Sequence, residues 1–370
     1  MKKLVLAALI AVAGAMAPGL SHAEIVVKDV LGRERTLEGP AQRVILGFYF
    51  EDFLAITGEG AYDRVVGISK SAWHDWRNSQ WKAYSAVIPR IEELEDVGGL
   101  GATGFSLEKA IALNADVAIL PVSTFNALGE AAERLEAAGI PIIVADYNAQ
   151  TVEKHVASTL AIGAVMGTPE RARQLADEYV AAVKDIEARV SKALEGGREP
   201  VRAYVELGKK GPGEYDRSFA DGYMWGGMID LAGGRNIAGH VIERSAPLAP
   251  EYVLDQNPEV VFIAGSYWVD GGDAVVMGFG VDENRTRERL NAYAGRAGWQ
   301  NIDAVKNSRM YAIYHGGART LHDYAALQYL AKAMYPEAFE DVDPGETLRT
   351  YYERYLPIAA DGAFMVGQGE

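Results

Sequence analysis

The chain has 370 residues, 49% hydrophobic and 24% charged, which excludes a disordered or fibrous protein and favours two compact lobes over one. Its 51 acidic against 36 basic side chains leave a net charge of −15, a poor basis for nucleic-acid binding, which rests on Lys and Arg displacing counterions. Cysteine is absent, so disulfides, thiolate zinc sites, iron–sulfur clusters and a cysteine nucleophile are excluded.

Residues 1–23 read as an export signal. Lys2 and Lys3 give a basic start, Leu4 to Ala17 is apolar, and Pro18-Gly19 breaks the helix before the small residues Ser21 and Ala23. The run is shorter than the roughly 20 apolar residues a membrane span needs. Cleavage before Glu24 would release a soluble, monomeric periplasmic protein, two charges more negative than the precursor. No cysteine follows the cut, so no lipid anchor is expected.

Glu24–Leu37, with Leu31-Gly32 between two extended stretches, predicts a hairpin. Short, continuously apolar runs follow at Val44–Leu46, Val65–Ile68, Val117–Leu120 and Ile140–Ala145. They recur at Val201–Leu207, Val260–Ala264 and Met310–Tyr314. Alternating with helical patterns, they predict strands buried on both faces in α/β lobes. The Gly99-Leu-Gly101-Ala-Thr-Gly104 stretch has a dinucleotide-binding spacing, but Glu92 to Asp96 before it is too charged for the required strand, and a turn is expected. No P-loop, nucleophile elbow or HExxH motif occurs. No enzyme is predicted.

Two segments repeat. Ser106-Leu-Glu108 leads through Asn114 and Asp116 into the strand at Val117; Pro250-Glu251 leads through Asn257 and Glu259 into the strand at Val260. The spacing from Glu to Asn to acid is the same in both, so two lobes of similar topology are expected. Between them lies the longest helical pattern: Thr168 as cap, Pro169 at the first position, Glu170 at the positive helix end, then Leu175, Tyr179, Val183, Ile186 and Val190 on one face. Gly196-Gly197 ends it. The predicted organisation is residues 24–168 as one lobe, 169–195 as a rigid joining helix, and 199–370 as the second lobe.

With these features in place, the chain resembles the substrate-binding proteins of iron-complex (siderophore), haem and cobalamin ABC importers, whose lobes are bridged by one long helix. The resemblance is carried by Arg43-Val-Ile-Leu, Asp63-Arg64-Val-Val-Gly-Ile-Ser, the Ser106 to Asn114 stretch, Gly233-Gly234-Arg235-Asn236, Asn257-Pro258-Glu259, Trp299, Ala304 to Ile313 and Tyr335-Pro336-Glu337. It implies capture of a small ligand between two α/β lobes and delivery to permease subunits, without chemistry on the ligand or an obligatory cofactor. It also implies that Glu108 and Glu251, one per lobe, dock onto the permease.

Ligands of open α/β sheets lie beyond the carboxyl ends of the strands. Residues there are Tyr49; Trp73, His74 and Trp76; Tyr215 and Arg217; Tyr267 and Trp268; and Tyr314, His315 and Arg319. Aromatic faces would stack on a flat ligand and Arg would pair with its anionic groups. Tyr49, Tyr215 and His315 are candidate direct ligands for ferric iron. This set departs from the three-histidine-plus-acid pattern of related divalent-metal binders. The leading expectation is a ferric complex, a siderophore chelate; haem and a molybdate-like oxyanion are alternatives within the class, and an exported hydrolase is the alternative outside it. One stretch, Trp81-Lys-Ala-Tyr84, and the ending Tyr351-Tyr352-Glu-Arg-Tyr355, resemble a branch associated with both iron complexes and molybdate.

Overall fold

The computed structural model describes residues 24–101 and 104–369; the export-signal reading of residues 1–23 lies outside them. Strands β1 (Ile25–Lys28) and β2 (Glu34–Leu37) form the expected antiparallel hairpin. The N-terminal lobe is a parallel sheet of β3 (Val44–Leu46), β4 (Val65–Ile68), β5 (Glu95–Asp96), β6 (Val117–Pro121) and β7 (Ile142–Ala145), in the order β5-β4-β3-β6-β7. The C-terminal lobe has β8 (Arg202–Leu207), β9 (Arg235–Asn236), β10 (Val260–Gly265), β11 (Met310–Tyr314) and β12 (Met365–Gly367), in the order β9-β8-β10-β11-β12. Only β12 is antiparallel there, because the chain end returns along β11. Strands β3, β6 and β10, and the edge strand β7, are buried along their whole length, as their unbroken apolar sequence requires.

Helices α1 (Phe50–Thr57), α2 (Asn78–Val87), α3 (Leu107–Ala112) and α4 (Val152–Met166) belong to the first half. The joining helix α5 runs Pro169–Ala193, about 37 Å at 1.5 Å per residue. Proline stands at its start as predicted, but the Thr168 hydroxyl makes no capping bond, a correction to its expected role. The helix stops short of Gly196-Gly197, whose left-handed backbone turns the chain away. Leu175, Tyr179, Val183, Ile186 and Val190 are buried, and one apolar cluster runs from the N-terminal sheet across this stripe into the C-terminal lobe. Each such aliphatic contributes about 1.5–3 kcal/mol when fully buried, so the stripe fixes both lobes to one rod. After it come α6 (Met224–Leu231), α7 (Pro250–Gln256), α8 (Asp323–Met334) and α9 (Pro344–Tyr355).

The sequence repeat is a structural one. Asn114 and Asn257 both end their helices in the left-handed region, with φ of 46° and 44°. Arg43 donates to the Asn114 carbonyl at 3.0 Å, and Arg202 to the Asn257 carbonyl at 3.1 Å. The acid two residues on then accepts from the backbone N–H of the same arginine: Asp116 from Arg43, Glu259 from Arg202. The Gly99–Gly104 segment closes on itself through the Gly99 N–H to Gly104 carbonyl bond, as a turn does.

Candidate functional site

The lobes meet along two seams. On one, Ala149 bridges to Tyr223 and the Met224 N–H donates to the Asn148 carbonyl. On the other, the Asn78 N–H donates to the Tyr267 carbonyl and the Ser266 hydroxyl to the Trp76 carbonyl. Between them lie the carboxyl ends of β3 and β11, and two arginines face one ring there. The guanidinium carbons of Arg77, at the start of α2, and Arg319, after β11, each stand 5.0 Å from the centroid of Phe48.

Neither guanidinium pairs with a carboxylate among the described residues. Arg77 is only 4% exposed, and its Nη2 has no hydrogen-bond partner; the same holds for Arg319 Nε. Burial and the nearby Arg77 cation push Arg319 down to about 9. Two like charges out of water oppose each other, and an anion between them relieves both costs. Three of the six non-glycine residues with positive φ among the described residues, Tyr49, Met224 and Arg319, border this place. Such conformations cost about 1–3 kcal/mol each and persist only where the surroundings impose them.

Other polar groups complete the lining. Tyr49 donates its phenol to Asn148 Oδ1 at 2.9 Å and accepts from the Tyr147 N–H at 3.3 Å. Burial raises its pKa far above the ordinary tyrosine value, so it is a phenol and not a phenolate. His315 accepts the Trp225 indole N–H on Nδ1 at 3.0 Å, which places its proton on Nε2. Burial, then Arg319 and Arg77, hold His315 neutral. The cleft opens into a hollow of about 240 Å³ lined by Ser123, Asn126, Asp146, Asn148, Tyr223 and Arg244 among others.

The structure thus brings together Tyr49, Tyr314, His315 and Arg319 of the residues predicted from strand ends. The others go elsewhere. Trp73 is enclosed in the N-terminal core, stacked on Phe50 at 4.4 Å, because α1 and α2 close over it. His74 is half-buried and paired with Asp75, and Trp76 is exposed on the outer seam. Tyr215 accepts from the Trp299 indole and lies under Arg296, itself paired with Glu206: a strut of the C-terminal lobe. Arg217 is exposed on a short strand paired with Ser245–Pro247. Tyr267 and Trp268 ride on the loop after β10 that packs against Asp75 and Asn78. The candidate iron ligands therefore do not form one set, since Tyr215 and Tyr49 share no neighbour among these contacts. Among the described residues no cluster of three His, Asp or Glu is placed to hold a metal. Among the same residues each histidine faces something other than a nucleophile: His74 faces Asp75, His155 Asp323, His240 Asp221, His322 Glu51 and His315 an indole.

Phe48 and Arg77 were not singled out from sequence. Arg77 adjoins the aromatic run that was, so the right loop was visible, but not which of its side chains turns inward.

Residues 44–315 match the family model described as periplasmic binding protein. The chain is 35% identical to the crystal structure of the TroA-like periplasmic binding protein FepB from Veillonella parvula, with a TM-score of 0.85 over 93% of this chain and 99% of that one. It is 23% identical to the molybdate-binding protein MolA of Haemophilus influenzae over 90% of this chain and 91% of the relative. The molybdate-bound MolA structure superposes with a TM-score of 0.68. An ABC transporter substrate-binding lipoprotein of Bacillus subtilis, YvrC, is 23% identical over 76% of each chain.

Proposed function

The chain belongs to the periplasmic binding protein family, and we propose that it captures a compact oxyanion of the molybdate kind between Arg77 and Arg319 for an ABC importer. The observation that carries this reading is the pair of carboxylate-free guanidiniums on Phe48, one from each lobe. The His315 Nε2–H adds a neutral donor beside them. On a protein of net charge −15, only such a local reversal of field would draw an anion in. The likeness to a molybdate-binding protein supports the same ligand class. A haem would need an axial lone pair, whereas His315 carries its proton on Nε2 because Nδ1 accepts the Trp225 indole, and burial keeps Tyr49 and Tyr314 as phenols.

A second reading, an anionic ferric chelate, is favoured by the hollow of about 240 Å³ at the cleft mouth, where Tyr223 and Arg244 could take the outer part of a larger ligand. Calorimetry of the purified protein with molybdate, sulfate, phosphate and ferric citrate decides between them. Saturable molybdate binding that disappears in Arg319→Ala supports the oxyanion; binding of ferric citrate alone supports the chelate; binding of neither overturns the anion site.

Delivery would use Glu108 and Glu251, exposed in the first turns of α3 and α7. Equivalent places in the two repeats put one carboxylate on each lobe, suited to a permease with paired basic sites. Glu108→Ala with Glu251→Ala should weaken association with the permease and leave molybdate affinity unchanged.

A further inference from the structure

Behind the two arginines, the first turn of α1 carries two consecutive buried acids. Glu51, 3% exposed, accepts from Gln80 Nε2 at 2.6 Å and Tyr84 at 2.8 Å, both on α2, and from Tyr352 of α9 at 2.7 Å. Asp52, 1% exposed, accepts the Leu321 N–H at 2.6 Å. Arg77 sits one turn before Gln80 and Arg319 two residues before Leu321. The two acids therefore hold, from behind, the segments that present the two cations.

We propose that Glu51 and Asp52 are the positioning residues of this anion site: Glu51 anchors the helix that presents Arg77, Asp52 anchors the segment that presents Arg319, and the Asp52 charge sets how strongly the cations attract an anion. This rests on the reading of Arg77 and Arg319 as anion ligands.

Geometry and charge can be told apart at Asp52. A carboxyl that gains a proton still accepts the Leu321 N–H but no longer opposes an anion beyond Arg77. Burial raises Asp52 to about 6, against the pull of His322, the Leu321 N–H and Arg77. The charged groups facing it are Glu51 on its own helix, Arg77, His155 of α4 and His322. The phenols of Tyr49, Tyr62, Tyr147 and Tyr351 also face it and remain protonated throughout this range. An anion bound in front of Arg77 disfavours the Asp52 carboxylate further, so binding takes up a proton. Affinity should then rise as pH falls through about 6, and a one-unit displacement on binding is worth about tenfold.

The test is molybdate calorimetry on the whole protein between pH 5.5 and 8. Wild type should bind more tightly at the acid end. Asp52→Asn keeps the acceptor and loses the charge, so it should bind at pH 8 as wild type does at pH 5.5, with the slope near 6 gone. Asp52→Ala loses the acceptor as well and should bind more weakly than Asp52→Asn at every pH. Tyr352→Phe cuts one bond to Glu51 from the opposite lobe and should weaken binding while keeping the slope; it guards against Glu51 variants that fail to fold. Asp52→Asn with the wild-type slope, or Asn and Ala alike at every pH, overturns the inference while leaving the anion site standing. Wild type that binds no anion overturns both, and is seen before any variant is made.

Discussion

The two lobes share a plan and use it differently at the cleft. In the N-terminal sheet the strand order reverses between β3 and β6, and Phe48 and Tyr49 at the cleft follow β3 directly, where a doubly wound sheet leaves a crevice. In the C-terminal sheet the reversal lies between β8 and β10, but that crevice is filled. The chain after β10 folds back, the Val275 N–H donating to the Gly208 carbonyl beyond β8 and Val275 accepting from Ser266. Val275 and Met277 are fully buried there. The second lobe's contribution therefore comes from beyond β11, at His315 and Arg319. Equivalent topology does not fix equivalent use, because a loop long enough to fold over a switch point can close it.

The lobes are joined by a buried ion pair whose removal should have the largest effect. His155 Nε2 lies 3.1 Å from Asp323 of α8, and its Nδ1 lies 3.0 Å from the Thr151 carbonyl, so both ring nitrogens must donate. Burial opposes the charge, but Asp323 prevails and raises the His155 pKa. A raised base contributes stability below its unfolded value that is lost as pH rises through the folded one. His155→Ala leaves the buried Asp323 without its cation, with only the Tyr179 phenol beside it, and should cost about 3–5 kcal/mol at pH 6, less at alkaline pH, read by urea unfolding. An effect independent of pH would show that the ring serves only to pack on Tyr179.

Next are the arginines. Each loses at least one charge-assisted bond worth about 1.5–3 kcal/mol, so Arg77→Ala and Arg319→Ala should each weaken molybdate binding about tenfold to a hundredfold. Unequal losses would rank the lobes; loss from only one would mean that the site belongs to that lobe.

The repeat predicts a smaller pair of effects. Asn114→Ala and Asn257→Ala place a methyl side chain at φ of 46° and 44°, which should cost about 1–2 kcal/mol in thermal unfolding, and Asn257→Ala should cost more because it also loses two hydrogen bonds with Asp303. Equal costs would show that the backbone conformation alone carries the load in both units. The smallest change concerns motion. A helix without internal Pro or Gly after its first residue resists bending, so scattering with and without molybdate should give nearly the same radius of gyration.

Much of this was legible in the chain itself. The strands beginning at Val44, Val65, Val260 and Met310 start where their apolar runs start, and the helix from Pro169 follows its stripe, because burial of a continuous or periodic apolar surface is a local demand on sequence. The repeat was readable for a like reason: an Asn that ends a helix left-handed and an acid that binds the next strand's N–H are short-range devices. Tyr49, His315 and Arg319 could be found as residues beyond strand ends. What sequence could not say is which strand ends stay open. Trp73 and Tyr215 occupy comparable positions, yet one is walled in by α1 and α2 and the other bound to Trp299 and Arg296. Nothing in the sequence around Arg77 marks it as buried, and the fold buries it. Glu51 and Asp52 stand in the first turn of α1, where sequence alone marks them as nothing special, yet Glu51 takes hydrogen bonds from both lobes and Asp52 one from the far lobe. The chain's pattern determines which surfaces must be buried; only the packing of one lobe on the other decides which charges are left facing each other without a partner, because that depends on contacts between residues as far apart as Asp52 and Leu321.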